Sequence, residues 1–201
     1  MKTIVYISIF FSFLTLSGSA QNVDSEKARN SIPLRKITIE PAIGLEPMSD
    51  LIISNLVQLN IRKRLSIVSY TSYSYNNAMQ RDFNYIKTNY NYTLSQKFGL
   101  GTSLYTKHSS NTFSLMAGIR YDAFKETLEN PDFEKVSASV SSFSPDLGLL
   151  YNLKIGKKKY FFSYRMFIPL YPYPLISSDI WSLNDNMANL SLEFGLGIRL
   201  K

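Results

Sequence analysis

The final stretch of the chain, residues 187–200, alternates between apolar and polar side chains with almost no interruption. One row contains Leu190, Leu192, Phe194, Leu196, Ile198 and Leu200, and the other contains Asn189, Ser191, Glu193, Gly195, Gly197 and Arg199. Because successive side chains of a strand project to opposite faces, this pattern predicts a β-strand with one apolar and one polar face. The segment is longer than an average strand of about five or six residues. Strands of this length are typical of a closed barrel that spans a membrane.

Similar alternating segments recur along the chain and predict an all-β, antiparallel, up-and-down transmembrane barrel of about ten strands. The predicted strands cover residues 36–46, 51–61, 65–75, 83–94, 98–106, 112–122, 134–143, 146–155, 160–170 and 187–200. Eight strands remain possible if 134–143 is a loop. Pro41 interrupts the apolar row of the first strand, and because proline cannot donate to a ladder it predicts a bulge or irregularity there.

The turns and loops predict which end of the barrel faces the periplasm. With the C-terminus on the periplasmic side, the tight turns at 62–64, 95–97 and 156–159 lie there, and the longer loops at 76–82 and 171–186 face outward. Short periplasmic turns and longer external loops are usual in such barrels. The ten-strand count also places residues 125–132 inside and the short 107–111 outside, which departs from that asymmetry.

The first 20 residues have the features of a secretory signal peptide. Lys2 supplies a positive n-region, residues 4–16 form an apolar core, and Gly18 and Ala20 are the small residues expected before cleavage, which we place after Ala20. The apolar run is shorter than the roughly 20 residues that a membrane-spanning helix needs. Residues 21–34 are polar and unpatterned and are interpreted as a flexible periplasmic tail, so residues 35–201 form the predicted barrel domain.

The composition excludes several classes of function. The chain has no cysteine and one histidine, which excludes a disulfide scaffold and leaves few transition-metal ligands. The net charge of +7 is spread over turns and polar faces instead of clustering with stacking aromatics, which argues against a nucleic-acid partner. No phosphate-binding glycine loop or paired metal-ligand cluster is present, so no cofactor or metal is predicted.

Alternation alone does not say which row faces outward, because soluble barrels also alternate, with their apolar row inside. The polar row is rich in small residues, among them Gly99, Gly101 and Ser103, which fit a narrow lumen better than a water-facing surface. Aromatic residues also lie on the apolar face near strand ends, as interfacial girdles require. They are Tyr90, Tyr92, Tyr160, Phe162 and Tyr164. The membrane barrel is therefore favoured, and a soluble envelope barrel that binds an apolar ligand is the alternative.

From about residue 35 to 201 the chain resembles the small bacterial outer-membrane β-barrel proteins. The resemblance lies in the signal peptide, the repeated alternating strands, the basic tight turns and the amphipathic terminal strand. It implies a location in the bacterial outer membrane, contact with outer-membrane lipid, and insertion by the barrel-assembly machinery; it names no protein partner. The terminal strands of that family often end in an aromatic residue, whereas this chain ends in Leu200 and Lys201, with Phe194 the nearest aromatic.

Eight charged residues fall on the row predicted to face the lumen. They are Glu40, Lys87, Arg120, Asp122, Lys154, Arg165, Glu193 and Arg199. One interpretation is a set of paired charges that fills and stabilises the barrel. The other is a narrow polar conduit whose surplus of Arg and Lys favours anions.

A short motif around the only histidine offers a catalytic alternative. Residues 108–111 read His-Ser-Ser-Asn, which resembles the His-x-Ser-Asn signature of the outer-membrane lipid A 3-O-deacylases. That resemblance implies an esterase in which His108 is the general base for Ser110, with Asp122 on the following strand as the acid. The motif lies in a predicted turn, Asp122 replaces the family's glutamate, and about ninety residues follow it here, whereas the family's motif lies close to the C-terminus.

The functions predicted from the sequence therefore fall into three classes. The first is an outer-membrane barrel with a structural, adhesive or narrowly permeable role and no catalysis. The second is the lipid-modifying esterase centred on His108 and Ser110. The third is the soluble barrel with an apolar ligand inside.

Overall fold

The computed structural model describes residues 37–45, 51–62, 64–75, 86–106, 108–128, 136–156, 158–171, 176–177, 182–183 and 190–200. The predicted signal peptide (1–20) and tail (21–34) lie outside these residues. The strands are β1 Ile37–Leu45, β2 Leu51–Asn60, β3 Leu65–Tyr75, β4 Ile86–Tyr105, β5 Ser109–Leu128, β6 Val136–Ile155, β7 Tyr160–Tyr171, β8 Ile176–Ser177, β9 Ser182–Leu183 and β10 Ser191–Leu200. This part of the chain contains no helix with the length and hydrophobicity needed to cross a membrane.

Within these ranges, eight strands form one closed antiparallel barrel, and the short β8 and β9 pair only with each other. Neighbouring barrel strands follow chain order, and β10 closes the barrel against β1 through pairs such as Ile37 with Leu200 and Leu45 with Leu192. The predicted antiparallel up-and-down barrel is confirmed, with the eight strands that the sequence left open in place of ten.

Two predicted turns are wrong, and they account for the difference in strand number. Residues 95–97 lie inside β4, where Ser95 pairs with Ser72 and Lys97 with Tyr70. The predicted break at 144–145 lies inside β6, where Pro145 pairs with Ile119 of β5. The segment 134–143 is therefore neither a separate strand nor a loop, because most of it extends β6.

Of the bulge or irregularity predicted at Pro41, the structure has the irregularity and not the bulge. The register of β1 against β10 is the same before and after this residue, and β1 pairs with β2 without interruption. Residues 40 and 41 have no partner in the ladder to β10, so the missing N–H of proline removes local pairing without shifting the strands. Register shifts occur elsewhere, between Thr88 and Tyr90 and between Leu147 and Gly148.

The eight-strand topology separates short and long connections. The turns at 61–64, 106–108 and 156–159 lie at the same end of the barrel as the last residues of β10, and we name this the near end. The longer connections 46–50, 76–85, 129–135 and 172–190 join strand ends at the opposite, far end. The sequence prediction placed 107–111 outside, at the end away from the C-terminus, and 125–132 inside, at the end of the C-terminus. Both placements relative to the C-terminus were wrong, because the two false turns reversed the direction of the strands between them.

The barrel wall has two heights. Strands β1, β2, β3 and β10 contain 9, 10, 11 and 10 residues, close to the roughly 9–11 residues that a tilted strand needs to cross a bilayer. Strands β4, β5 and β6 contain 20 residues each. Their far-end halves pair only with one another, because β3 ends opposite Tyr92 and β7 ends opposite Leu147. These halves form a three-stranded extension of the wall at the far end.

Candidate functional site

The outer face of the barrel is apolar. Among the described residues, 27 large hydrophobic side chains are exposed, with Leu100 at 63%, Phe162 at 67% and Phe194 at 65%. Soluble monomers rarely expose contiguous apolar surface of more than a few hundred Å². The alternative of a soluble barrel with its apolar row inside is wrong, because that row lies on the outside of the closed barrel.

Aromatic rings form a continuous band on the outer face where the extension begins. Tyr73 contacts Tyr75 and Tyr92, Tyr92 contacts Tyr121, and Tyr121 contacts Phe143, with ring centroids 4.7–6.5 Å apart. Towards the near end, Tyr160 and Phe162 are exposed and Tyr164 lies against Phe194, with ring centroids 5.2 Å apart. Two aromatic levels separated by aliphatic residues are typical of the interfacial girdles of membrane barrels. The side chain of Tyr90 lies outside the described part of the chain.

The inside of the barrel begins, at the near end, with an ion pair between Glu40 and Lys154. Their closest atoms, Oε1 and Nζ, are 2.5 Å apart, and the two side chains are 0% and 3% exposed. Lys154 Nζ also donates to Thr38 Oγ1 at 2.9 Å and to Gln58 Oε1 at 2.7 Å, while Asn152 donates to Glu40 Oε2 at 2.8 Å. Three strands, β1, β2 and β6, thus contribute to one network around this pair, which lets both charges be buried.

A second ion pair lies halfway along the barrel, where Arg165 of β7 stands directly opposite Glu193 of β10. Arg165 Nη2 is 3.4 Å from Glu193 Oε2, and both side chains are fully buried. Glu193 also accepts hydrogen bonds from Ser54, from the Tyr70 hydroxyl and from Ser191, the last at 2.8 Å. The carboxylate therefore joins β2, β3, β7 and β10 across the interior.

The middle of the interior is closed by apolar side chains that the sequence did not predict to face inward. A cluster of buried residues lies there, made up of Leu56, Val68, Tyr70, Met116, Leu150 and Phe167. The Tyr70 and Phe167 rings stack with centroids 6.2 Å apart. Phe167 lies over Gly148, where a Cβ atom would overlap the ring and approach the backbone oxygen of Ile168 to 2.7 Å. Glycine at this position makes the room that the ring occupies.

Above this cluster, Lys97 and Asp146 form a third ion pair. Lys97 Nζ is 2.7 Å from Asp146 Oδ2 and 3.8 Å from the centroid of the Phe167 ring. A small cavity with space for about one water molecule lies beside them and is lined in part by Ser72, Ser95 and Tyr70. The aromatic stack closes the side of this cavity that faces the near end.

Arg120 and Asp122 lie still nearer the far end. Arg120 Nε donates to Asp122 Oδ1 at 2.6 Å, and Thr93 Oγ1 donates to the same oxygen at 2.7 Å. Of the other residues predicted to face the lumen, Arg199 is half-buried at the near end, where its guanidinium lies 4.3 Å from the Phe161 ring. Lys87 belongs to β4, and its side chain lies outside the described residues.

Sequence reasoning missed Lys97 and Asp146 because each was assigned to the edge of a false turn. A usable signal was present: Leu94, Phe98 and Leu100 keep the same outward parity on both sides of 95–97. Only Gln96 interrupts that apolar row. β4 stays paired with β3 across Gln96, so the next residue, Lys97, faces the inside of the barrel.

The residues of the predicted esterase do not come together. His108 is exposed in the near-end turn, Ser110 is buried at the start of β5, and Asp122 is paired with Arg120. Ser110 and Asp122 are twelve residues apart in one strand, which separates them by roughly 40 Å at the usual rise of a β-strand. The proposed Ser–His–acid arrangement was therefore wrong for these three residues.

No protein-family model and no curated protein matches the sequence. Two solved structures are similar in fold. The N-terminal β-barrel domain of Pseudomonas aeruginosa OprF has a TM-score of 0.43 and 10% identity, with 81% of this chain and 95% of that chain covered. Neisserial surface protein A (NspA) has a TM-score of 0.44 and 9% identity, with 82% of this chain and 94% of that chain covered.

Proposed function

We propose that the protein is a non-catalytic integral barrel of the bacterial outer membrane, with a sealed interior, that displays the three-stranded extension at the cell surface. The observation that carries the proposal is the apolar outer face, because lipid is the environment that accommodates exposed Leu, Ile and Phe on every barrel strand. The lengths of β1, β2, β3 and β10 are those expected of strands that each cross the bilayer once. The role is structural or adhesive, since the part of the described barrel that extends beyond the short strands is the three-stranded extension.

The packed interior argues for a structural role over permeation. Three layers of ion pairs, Glu40 with Lys154, Arg165 with Glu193 and Lys97 with Asp146, alternate with the apolar cluster around Phe167. Barrels of about eight strands are usually filled by their own side chains. An anion moving along the axis would have to displace both the Tyr70–Phe167 stack and the Arg165–Glu193 pair.

The sealed interior predicts that the protein reconstituted in a planar bilayer produces no discrete channel events. A sixteen-stranded porin in the same apparatus serves as the positive control, and heat-modifiable migration in a detergent gel verifies that the barrel is folded. Stepwise conductance from the folded protein would contradict the sealed-interior assignment and favour the anion conduit.

The proposed orientation predicts which ends of the barrel antibodies reach on intact cells. An epitope tag inserted in residues 129–135, between β5 and β6, is expected to be labelled on intact cells, because this connection lies at the far end. The matched control is the same tag in the near-end turn 106–108, which becomes labelled only after the outer membrane is permeabilised. Labelling of the 106–108 tag on intact cells would reverse the orientation, and labelling of neither tag would contradict display at the surface.

A further inference from the structure

The two ends of the barrel carry opposite charge. The near-end turns 61–64, 106–108 and 156–159 together contain seven Lys and Arg residues and no Asp or Glu. The far-end connections 46–50, 76–85, 129–135 and 172–190 contain eight Asp and Glu residues and two Lys and Arg residues. Exposure to solvent accounts for the presence of some Lys and Arg in turns. It does not account for why all the Asp and Glu residues of the connections belong to the far-end set.

The described basic side chains of the near end lie on two of its turns and at the end of β10, and we name them the basic rim. Its members with described side chains are Arg62, Arg64, Lys158, Lys159 and Arg199, and the first four are exposed. The turns that carry them join β2 to β3 and β6 to β7, and the third turn joins β4 to β5. In the order of strands around the barrel, these three turns lie at alternate gaps, and the fourth alternate gap, between β10 and β1, has no turn. In the sequence each of the three turns contains at least one Lys or Arg, which fits a partner that surrounds the barrel better than one that docks on a single side.

The basic rim also lies at the level where the apolar outer face ends. Lys159 Nζ lies 5.8 Å from the ring centroid of Tyr160, which is 65% exposed on the outer face. Arg62 and Arg64 lie between the exposed Ile61 and Leu65. Cations beside the last lipid-facing residues reach the depth of phospholipid headgroups, where anionic lipid attracts basic segments.

Four of these basic side chains lack an acidic partner within the described part of the protein. Arg62, Arg64, Lys158 and Lys159 form no ion pair with any described acidic residue. Arg199 Nη1 donates to the backbone oxygen of Lys158 at 2.6 Å, which brings two cationic residues together. Such a concentration of positive charge is stabilised by an anionic partner.

We propose that the basic rim binds anionic phospholipid headgroups in the leaflet around the near end of the barrel, and thereby selects these lipids from the bilayer. The inference rests on the proposed membrane location and adds the lipid class and the residues that recognise it. With the near end in the periplasm, that leaflet is the inner one. The interaction is electrostatic and lies at the membrane surface, so salt screens it.

The test measures lipid selectivity at the barrel surface by electron spin resonance. The full chain without its predicted signal peptide is folded into phosphatidylcholine vesicles that contain a trace of spin-labelled phosphatidylglycerol or spin-labelled phosphatidylcholine. We expect the motionally restricted population to favour phosphatidylglycerol by about threefold or more at low salt, and this preference to approach one in molar salt. The variant R62Q/R64Q is expected to lose a large part of the preference.

The matched control is K125Q/K135Q, which removes two positive charges from the far-end half of β5 and the following connection and should leave the preference unchanged. Heat-modifiable migration verifies folding of each variant, and the salt dependence of the unaltered protein tests the inference even if a variant does not fold. Equal restriction of both lipids, or a preference that R62Q/R64Q retains in full, would overturn the inference. A stronger preference for monophosphoryl lipid A, which has a single phosphate as phosphatidylglycerol does, would also overturn it, because lipid A belongs to the outer leaflet.

The outcomes also separate this inference from the proposed function. A barrel that inserts in zwitterionic vesicles without lipid selectivity removes the basic rim's role and leaves the membrane assignment intact. A chain that does not insert in any vesicle removes both.

Discussion

Replacing Glu193 with Leu is expected to lower the free energy of unfolding of the barrel by about 3–5 kcal/mol, the usual cost of removing one partner from a buried ion pair. Arg165 is fully buried, and its Nε and Nη1 already lack hydrogen-bond partners among the described residues. Without Glu193, Ser54 would be the only hydrogen-bond partner left to its guanidinium among the described residues, at 3.1 Å. Urea unfolding in phosphatidylcholine vesicles, followed by heat-modifiable migration, measures the effect.

The double variant R165M/E193L is the control for this prediction. Replacing both members of a buried pair by apolar residues of similar size is often neutral or stabilising, so most of the lost stability should return. The residues face each other directly, and the double-mutant cycle therefore isolates their interaction. A single variant that loses less than about 1 kcal/mol would show that the interior does not depend on this pair.

Replacing Leu100 with Arg is expected to destabilise the membrane-inserted barrel by about 2–4 kcal/mol, as for arginine at the bilayer midplane. Leu100 is 63% exposed and lies on the outer face of β4, and its neighbour on β5, Leu115, is also exposed. The guanidinium would have to leave water for hydrocarbon or distort the surrounding lipid. The measurement is the same vesicle-based unfolding experiment.

The substitution I155R is the matched control, because it makes a similar change at another depth. Ile155 is 51% exposed and is the last residue of β6, beside the near-end turn. Arginine near an interface costs only about 0–1 kcal/mol. Equal destabilisation by the two substitutions would indicate that the outer face does not contact a bilayer with the proposed depth.

Hydrophobic alternation predicted the fold well wherever one face was uniformly apolar. The first three strands and the last strand were located within a few residues, because most of their outward residues are Leu, Ile, Val, Tyr and Phe; the exceptions are Pro41, Asn55, Ser69 and Thr71. Prediction failed where consecutive residues resemble a turn, at the polar run of Ser95, Gln96 and Lys97 and at Ser144 and Pro145. Only the ladder to neighbouring strands shows that these positions continue a strand, and such long-range pairing is not encoded in a local pattern.

The interior was predicted in composition but not in arrangement. The alternation within each strand placed Glu40, Arg165 and Glu193 on the inward face. It does not say which of these charges form ion pairs. The partners depend on the register between strands distant in sequence, such as β7 with β10. The inward apolar residues, Leu56 and Phe167 among them, were missed for a different reason: they occupy the row that the sequence had assigned to polar side chains, and the barrel needs them to fill its middle.

The unequal height of the wall gives the molecule a preferred side. Beyond the ends of β3 and β7, the strands β4, β5 and β6 continue for 6 to 11 residues, or roughly 20–35 Å along the chain. On the side of β1 and β10 the barrel ends near the lipid surface, so another membrane protein that approaches there meets no projecting strands. One that approaches β5 meets the three-stranded extension. Neighbours in a crowded membrane would thus be sorted by direction of approach, before any particular pair of residues touches.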